Sequence, residues 1–201
     1  MPSATNTPSV LSRKIIGKGR FLELEELVWR DSRGTQRLWE NAARTPSTGH
    51  TTTGGAALMI CWLEPSDRLL LVRQFRPPAG GWVIEFPAGL IDADETPSHA
   101  AARELLEETG YSGTILRVWP AAYNTPGLSS EKTFTVTMRI NERSKENLLT
   151  QPRPQEEEEI EVLLVARADL PGFIDRQQTA GVQFDSKVIA YFSALFSEDR
   201  R

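Results

Sequence analysis

Residues 89–111, GLIDADETPSHAAARELLEETGY, contain the feature that most constrains the fold of this chain. Thr96 has a side-chain oxygen that can accept a hydrogen bond at a helix N-terminus, and Pro97 suits the first helical position. Gly110 suits the residue that follows a helix, where a left-handed backbone is common. The segment therefore predicts a helix that begins at Pro97 and ends before Gly110.

Three glutamates of this helix, Glu104, Glu107 and Glu108, are three and four residues apart and so share one face. Carboxylates crowded in this way repel each other unless a cation lies among them. Oxygen ligands of this kind suit Mg²⁺ or Mn²⁺, which usually binds one or two carboxylates together with substrate phosphates. The helix is thus a candidate site for phosphate chemistry.

Composition limits the classes of function. The chain has 201 residues, of which 39% are hydrophobic and 25% charged, as expected for one main globular domain. Its net charge of −4 argues against nucleic acid or an anionic membrane as the main partner. The sequence has no apolar run of about 18 residues, and its start does not resemble a signal peptide.

Cysteine and histidine usage excludes two further kinds of site. Cys61 has no second cysteine with which to form an internal disulfide, which fits a cytoplasmic location, or a nuclear one in a eukaryote. It lies in the apolar run AALMICWL, so we expect a buried, inert thiol. With His50 and His99 as the two histidines, the chain has too few ligands for the usual zinc sites.

The N-terminal region predicts a separate module. Residues 1–12 are small and polar and are expected to form a disordered tail. Strands are predicted at residues 21–29 and 36–43, with a turn between them at residues 31–34. Residues 13–50 are therefore predicted to form a hairpin module, and residues 51–201 the main domain.

Strands around one internal helix dominate the main domain. Further strands are predicted at residues 56–63, 68–75, 82–86, 115–123, 133–140 and 160–166. Asp185 is predicted to begin a final amphipathic helix. This order indicates an α/β (α+β) fold in which mixed sheets are sandwiched between helices, rather than a doubly wound sheet.

The charged and glycine residues of the internal helix segment have the spacing of a known motif and resemble the Nudix box. The matching positions are Gly89, Glu95, Arg103, Glu104, Leu105, Glu107, Glu108 and Gly110. Tyr111 stands where an aliphatic residue is commoner. On this resemblance, which extends from about residue 19 to the C-terminal helix, the chain is identified as a member of the Nudix hydrolase family, with its fold.

The resemblance implies hydrolysis of a nucleoside diphosphate linked to another group, with Mg²⁺ as cofactor and Mn²⁺ able to substitute. The implied metal ligands are the carbonyl of Ala88 and the carboxylates of Glu104, Glu107 and Glu108. Arg103 lies four residues before Glu107 and is expected to hold that carboxylate in place. These glutamates and Arg103 are the implied catalytic residues of the helix.

The flanking sequences resemble the ADP-ribose pyrophosphatase branch of the family, and within it the human-type ADP-sugar pyrophosphatases. Pro126 lies 15 residues after Tyr111, a spacing that marks this branch, and the segments QFRPPAGGWVIEFPAGLID and RLWENAARTP match the human-type group. In that group an N-terminal hairpin reaches across a homodimer and aromatic side chains clamp the adenine. The implied substrate-binding residues are Phe21, Trp39, Arg44, Arg76, Leu90, Pro126 and Glu131.

Within this set, Trp39 is expected to come from the partner subunit and to clamp the base together with Phe21. Without the family, a tryptophan on a strand would rather be assigned to the core or to a dimer interface. Arg44 and Arg76 are expected to hold base or phosphate groups through their forked donors. For Glu131, which departs from the human-type sequence, contact with the substrate and absence of contact are equally open.

The acidic run at residues 156–159 has two interpretations. A run of charge in a loop is usually solvated surface. In this branch, however, the loop before the last strand carries a glutamate that acts as general base or positions water, and the resemblance places it at Glu158, within one residue.

Three functions are weighed. The first is Mg²⁺-dependent hydrolysis of ADP-ribose, and of other ADP-sugars, to AMP and a sugar phosphate by a homodimer. The second is a pyrophosphatase for UDP-sugars or other nucleoside diphosphates, because stacking alone discriminates bases poorly. The third is a catalytically silent domain that senses a nucleotide, although such domains typically lose the box glutamates that this chain retains.

Overall fold

The computed structural model describes residues 7–45, 55–148 and 159–196. Its strands are β1 (Ser9–Lys18), β2 (Leu22–Arg30), β3 (Gln36–Arg44), β4 (Ala56–Glu64), β5 (Arg68–Arg76), β6 (Gly81–Glu85), β7 (Ala88–Leu90), β8 (Thr114–Val118), β9 (Ala122–Tyr123), β10 (Lys132–Asn141), β11 (Ile160–Ala166) and β12 (Gln183–Phe184). Its α-helices are α1 (Pro97–Thr109), α2 (Lys145–Leu148), α3 (Leu170–Thr179) and α4 (Ser186–Leu195). The chain divides into two compact units.

The first unit contains an antiparallel sheet of β1, β2 and β3 in that order. The predicted hairpin is present as β2 and β3, but β1 adds a strand where a disordered tail was expected for residues 9–12. Its register against β2 shifts at two points, between Val10 and Ser12 and between Ile15 and Gly17. Such bulges interrupt the alternation of side chains, which explains why the sequence pattern did not predict a strand there.

The first unit also recruits segments that are distant in sequence, namely residues 91–94 and 121–133. The loop at residues 124–131 attaches to β3, because the amide of Ala42 donates to the carbonyl of Leu128 at 2.9 Å and Ala42 forms a parallel bridge with Ser129. The N-terminal module is therefore larger than the predicted hairpin of residues 13–50, and it includes the loop that carries Pro126.

The second unit is built on a larger sheet. Within the described residues its main strand order is β12-β6-β5-β4-β10-β8, with β11 paired to β5 and β7 paired to β4. Successive residues of β5, Leu69, Leu70 and Leu71, are all fully buried, so both faces of this sheet are covered. One core cluster joins the strands to α3 and α4 through Leu71, Phe173 and other apolar residues. The α1 helix packs on β4 and β7.

The ends of α1 are those predicted from the sequence. The hydroxyl oxygen of Thr96 accepts a hydrogen bond from the amide of His99 at 3.2 Å, and Pro97 is the first helical residue. Gly110 ends the helix with φ of 75°, in the left-handed region. Ala100 and Leu105 are fully buried on its core face. The predicted start of α4 is also present, with Asp185 accepting from the amide of Lys187 at 2.7 Å.

One strand prediction was wrong, and one helix was not predicted. The strand predicted at residues 115–123 is interrupted, since β8 ends before Pro120 and β9 begins after it; proline has no amide to donate to a neighbouring strand. The α3 helix was missed because Pro171 and Gly172 resemble a turn. In the structure Pro171 lies in the first helical turn, where its missing N–H has no helical partner to lose.

The cysteine prediction is confirmed. Cys61 is fully buried on β4, and this burial raises the pKa of its thiol far above the usual range. A thiol of this kind remains protonated and unreactive. Among the described helices, none is long and apolar enough to cross a membrane.

The two neighbouring leucines of α1 provide a test of this packing. Leu105 is fully buried and Leu106 is 49% exposed. We expect Leu105→Ala to lower the free energy of unfolding by about 2–5 kcal/mol, whereas Leu106→Ala should change it by less than about 0.5 kcal/mol. Urea denaturation of both variants measures the difference, and equal losses would contradict this orientation of α1.

Candidate active site

Arg103 is the centre of a charged cluster on α1. Its Nε and one Nη donate to the two carboxylate oxygens of Glu95 at 3.1 and 2.8 Å, and the same Nη donates to the carbonyl of Leu90 at 3.0 Å. This paired geometry is the strongest that an arginine makes with a carboxylate. It ties the helix to the end of β7 and to the loop before α1.

The other Nη of Arg103 contacts two further glutamates. It donates to Glu104 at 2.8 Å and to Glu107 at 3.3 Å. Hydrogen bonding to Glu95, with a smaller contribution from Glu104, raises the pKa of Arg103 well above its usual value, against the opposing effect of burial. The predicted contact between Arg103 and Glu107 is present, but Glu95 is the principal partner.

Gly89 brings the backbone unusually close to Glu104. A Cβ atom at position 89 would lie 1.8 Å from the carboxyl carbon of Glu104 and 2.1 Å from one of its oxygens. Such a contact is impossible, so any other residue would displace this carboxylate. The glycine at the start of the motif is therefore required by the position of Glu104, which is itself only 9% exposed.

Glu108 lies one helical turn after Glu104 and is buried. One of its oxygens accepts a hydrogen bond from the amide of Ala88 at 3.2 Å. Ala88 is the first residue of β7 and pairs with Leu58 of β4. The short β7 strand thus places both Ala88 and Gly89 against the acidic face of α1.

We tested whether this cluster fits a metal ion. Across residues 7–45, 55–148 and 159–196, no group of three or more His, Cys, Asp or Glu side chains is arranged to hold one. Glu104 and Glu107 contact Arg103 instead, and Glu108 contacts a backbone amide. The donor chemistry nevertheless fits a hard divalent cation, since the helix face offers carboxylate oxygens and Gly89 leaves room for the carboxylate of Glu104 that a Cβ atom would fill. The ligand set Ala88, Glu104, Glu107 and Glu108 stays a prediction.

Arg76, at the end of β5, forms another arginine–carboxylate pair. Its Nε and an Nη donate to the two oxygens of Glu85 on β6, both at 2.8 Å. Glu85 was not predicted from the sequence, although it belongs to the same stretch, VIEFPAG, that carries the family resemblance. The pair fixes the guanidinium at the strand edge while its side chain remains 43% exposed.

In the first unit, the loop at residues 124–131 contacts both predicted residues of β3. The indole nitrogen of Trp39 donates to the carbonyl of Gly127 at 3.2 Å. The Nε of Arg44 donates to Glu131 at 2.6 Å, and Asn124 donates to the other oxygen of Glu131 at 3.0 Å. Asn124 was not predicted as a site residue, because nothing in the sequence pairs it with a residue seven positions later.

Trp39 and Arg44 project from opposite faces of the three-stranded sheet. They are five residues apart on β3, whose pairing with β2 is continuous from Leu22–Arg44 to Arg30–Gln36, and side chains alternate along a strand. Half of Trp39 is exposed, and Phe21 is 67% exposed with the Arg20 guanidinium 4.9 Å from its ring. One face of β3 therefore offers the indole and the other offers the guanidinium.

The remaining predicted residues are placed as follows. Leu90 ends β7, and its carbonyl accepts from Arg103. Pro126 is exposed in the loop at residues 124–131, within the turn closed by the bond from the amide of Leu128 to the carbonyl of Thr125. Glu158 lies outside the described residues, so its predicted role is untested. The structure thus brings Arg103, Glu95 and the helix glutamates together, and separately joins Arg44 to Glu131.

Comparison with known proteins identifies relatives along most of the chain. A family model described as NUDIX domain matches residues 53–192. The ADP-sugar pyrophosphatase of Mus musculus is 35% identical over 191 residues, which cover 92% of this chain and 86% of the mouse protein. The ADP-ribose pyrophosphatase of Saccharomyces cerevisiae is 34% identical over 171 residues, covering 84% of this chain and 74% of the yeast protein.

A solved structure supports the same architecture. The crystal structure of an ADP compounds hydrolase superposes with a TM-score of 0.60 over 86% of this chain and 85% of that chain, at 21% sequence identity. The predicted fold of mixed sheets between helices, with an antiparallel N-terminal extension, is confirmed.

Replacing Arg103 tests its role as the counter-charge of the cluster. Arg103→Gln leaves several carboxylates without their shared cation, so we expect the free energy of unfolding to fall by about 2 kcal/mol at neutral pH. The matched control is Arg139→Gln, whose pair with Glu64 at 3.0 Å is more than half exposed on both sides and should contribute less than about 0.5 kcal/mol. Urea denaturation compares the two, and equal effects would show that Arg103 does not neutralise the cluster.

Proposed function

Because this chain belongs to the Nudix family of hydrolases, whose members use divalent metal ions, we propose that it hydrolyses the diphosphate bond of ADP-ribose. Other ADP-sugars are further substrates, and the products are AMP and a sugar phosphate. The observation that carries this proposal is the complete acidic face of α1, with Glu104 and Glu108 buried beside Gly89 and Ala88. The mouse and yeast relatives, both pyrophosphatases, support the choice of an ADP-linked substrate.

We assign Mg²⁺ as the cofactor, with Mn²⁺ able to substitute. The carbonyl of Ala88 and the carboxylates of Glu104, Glu107 and Glu108 would hold it. Bound there, the ion would supply positive charge for the diphosphate oxygens and would activate water for attack. Arg103, anchored on Glu95 and Leu90, keeps the carboxylates of Glu104 and Glu107 in place, and the amide of Ala88 holds Glu108. Positive charge from a bound ion suits a chain of net charge −4, which would otherwise repel a diphosphate.

Recognition of the nucleotide is assigned to residues beyond the box. Phe21 and Trp39 provide exposed rings for stacking on adenine. Arg44 and Arg76 provide guanidinium donors for base or phosphate groups, and Arg76 is pre-oriented by Glu85. Leu90 and Pro126 complete the predicted contacts. Glu158 is the proposed general base or water-positioning residue.

A homodimer is part of this proposal. Trp39 and Arg44 occupy opposite faces of β3, so one copy of β3 cannot present both side chains to the same ligand from one side of the sheet. If β3 gives Arg44 to its own site, Trp39 is available to the site of a second copy. Exposed apolar residues lie on both faces of the sheet, Ile15 on the face of Trp39 and Leu24 and Leu38 on the face of Arg44, and a partner that covers either face would bury some of them.

The substrate assignment is tested by comparing turnover of ADP-ribose, ADP-glucose, UDP-glucose and 8-oxo-dGDP with saturating Mg²⁺. We expect the two ADP compounds to be preferred. Glu108→Gln should lower kcat on ADP-ribose by about 100-fold or more, whereas Glu142→Gln, which removes an acid that contacts Arg68 and Ser66, should leave it unchanged.

Other outcomes of this comparison would contradict the proposal. Preference for UDP-glucose would overturn the adenine assignment and favour the UDP-sugar alternative. Tight binding of ADP-ribose by calorimetry without any product would instead identify a nucleotide-sensing domain that lacks catalysis.

Sharing of the site between subunits is tested with mixed dimers of Trp39→Ala and Glu108→Gln chains, purified through two different tags. Each homodimer should be impaired. In the mixed dimer one site receives both substitutions and the other receives neither, so about half of the wild-type activity should return. Light scattering should give a mass of twice 22.5 kDa. A monomer at micromolar concentration, or a mixed dimer without activity, would refute a shared site.

A further inference from the structure

The contact between Arg44 and Glu131 links two segments of the first unit that are 87 residues apart in sequence. Arg44 is the last residue of β3, and Glu131 immediately precedes β10. The distance of 2.6 Å from Nε to the carboxylate is that of a short, charge-assisted hydrogen bond. Glu131 is about half as exposed as Arg44, with side-chain exposures of 27% and 53%. The carboxylate is therefore the fixed partner and the guanidinium the exposed one.

Glu131 is itself held by the loop that it closes. Its second carboxylate oxygen accepts from the side chain of Asn124 at 3.0 Å, and its backbone carbonyl accepts from the amide of Asn124 at 3.3 Å. Two contacts, one from the side chain and one from the backbone, thus join the two ends of the loop. The loop also bonds to β3 at Ala42. Glu131 therefore has little freedom to turn toward a ligand.

The charge of Glu131 makes direct contact with the substrate unfavourable. A carboxylate facing a diphosphate or a ribose phosphate repels it, and both oxygens of Glu131 already accept hydrogen bonds. An arginine, by contrast, binds an anionic ligand more favourably when its Nε is already held by a carboxylate. The anchor fixes the plane of the guanidinium, so that less side-chain freedom is lost when its Nη groups bind a ligand.

We propose that Glu131 is a positioning residue for nucleotide recognition, which orients Arg44 and couples it to the loop at residues 124–131 through Asn124, without contacting the substrate. The proposal rests on the assignment of Arg44 to substrate binding made above. It resolves the open choice for Glu131 in favour of an indirect role. It also gives this chain a feature that depends on its own residue at position 131, where the human-type sequence differs.

A double-mutant cycle tests whether Glu131 acts through Arg44. The variants are Glu131→Gln, Arg44→Ala and the double substitution in the full-length protein. Calorimetry with ADP-ribose in EDTA gives Kd without turnover, and steady-state assays with Mg²⁺ give kcat and KM. We expect Glu131→Gln to raise Kd and KM about tenfold with kcat within about twofold of wild type. In the Arg44→Ala background the same change should alter Kd by less than about twofold.

Two further variants separate positioning from folding. Glu131→Asp retains the charge on a shorter side chain and should recover part of the affinity that Glu131→Gln loses. Asp67→Asn removes another arginine–carboxylate pair, with Arg167 at 2.7 and 3.0 Å, and should leave Kd unchanged. Urea denaturation identifies any variant that loses stability, so that its Kd is compared only where the protein remains folded.

Three results would overturn the inference. Additive effects of the Glu131 and Arg44 substitutions on Kd would show that Glu131 acts independently, as a substrate contact would. A lower Kd for Glu131→Gln would show that its negative charge matters more than its orienting bond. An unchanged Kd would show that it does not position Arg44. Failure of wild-type protein to cleave ADP-ribose would instead refute the proposed function, because the binding cycle does not depend on turnover.

Discussion

The contact of Arg103 with Glu95, Glu104, Glu107 and the carbonyl of Leu90 is the interaction on which the acidic face of α1 depends. A helix cannot carry adjacent buried carboxylates at low cost unless a cation compensates them. Arg103 supplies that charge from within the same helix. Its anchor outside the helix, at Glu95 and Leu90, also fixes how α1 faces β7. The close approach of Gly89 to Glu104 follows from this docking, since any side chain at position 89 would occupy the place of the carboxylate.

The two compact units of the chain divide the proposed site residues, with most of the proposed nucleotide-recognition residues in the first unit and the acidic helix in the second. The acidic helix, β7 and the Arg76–Glu85 pair belong to the second unit, whereas Phe21, Trp39, Arg44 and the loop at residues 124–131 belong to the first. The loop at residues 124–131, from the middle of the sequence, thus belongs to the same compact unit as the N-terminal sheet. Under the proposed function, we expect substitutions in the first unit to alter which nucleotide is bound while the acidic helix stays intact. This arrangement fits a family in which one hydrolytic motif serves many substrates.

How much of this could be predicted depends on whether the determining contact is local. The ends of α1 were predicted because Thr96, Pro97 and Gly110 act within a few residues of themselves. The β1 strand was missed because its bulges break the alternation, and α3 because Pro171 resembles a turn rather than a first helical turn. The partners of the site arginines were not predictable in the same way. Glu131 meets Arg44 across 87 residues, and only the fold determines that contact.

Among the described arginines whose Nε contacts a carboxylate, three belong to the proposed site. The pairs are Arg103–Glu95, Arg76–Glu85 and Arg44–Glu131. The Arg76–Glu85 and Arg44–Glu131 pairs each carry almost no net charge, so in the proposed site they would orient a ligand rather than attract it over a long range. A free arginine loses up to about 2 kcal/mol of side-chain entropy when it is ordered, and a carboxylate partner incurs that cost during folding instead of binding. Under the proposed function, we expect neutral, pre-oriented donors of this kind to bind a doubly charged product less tightly than unpaired cations would, which would favour its release after hydrolysis.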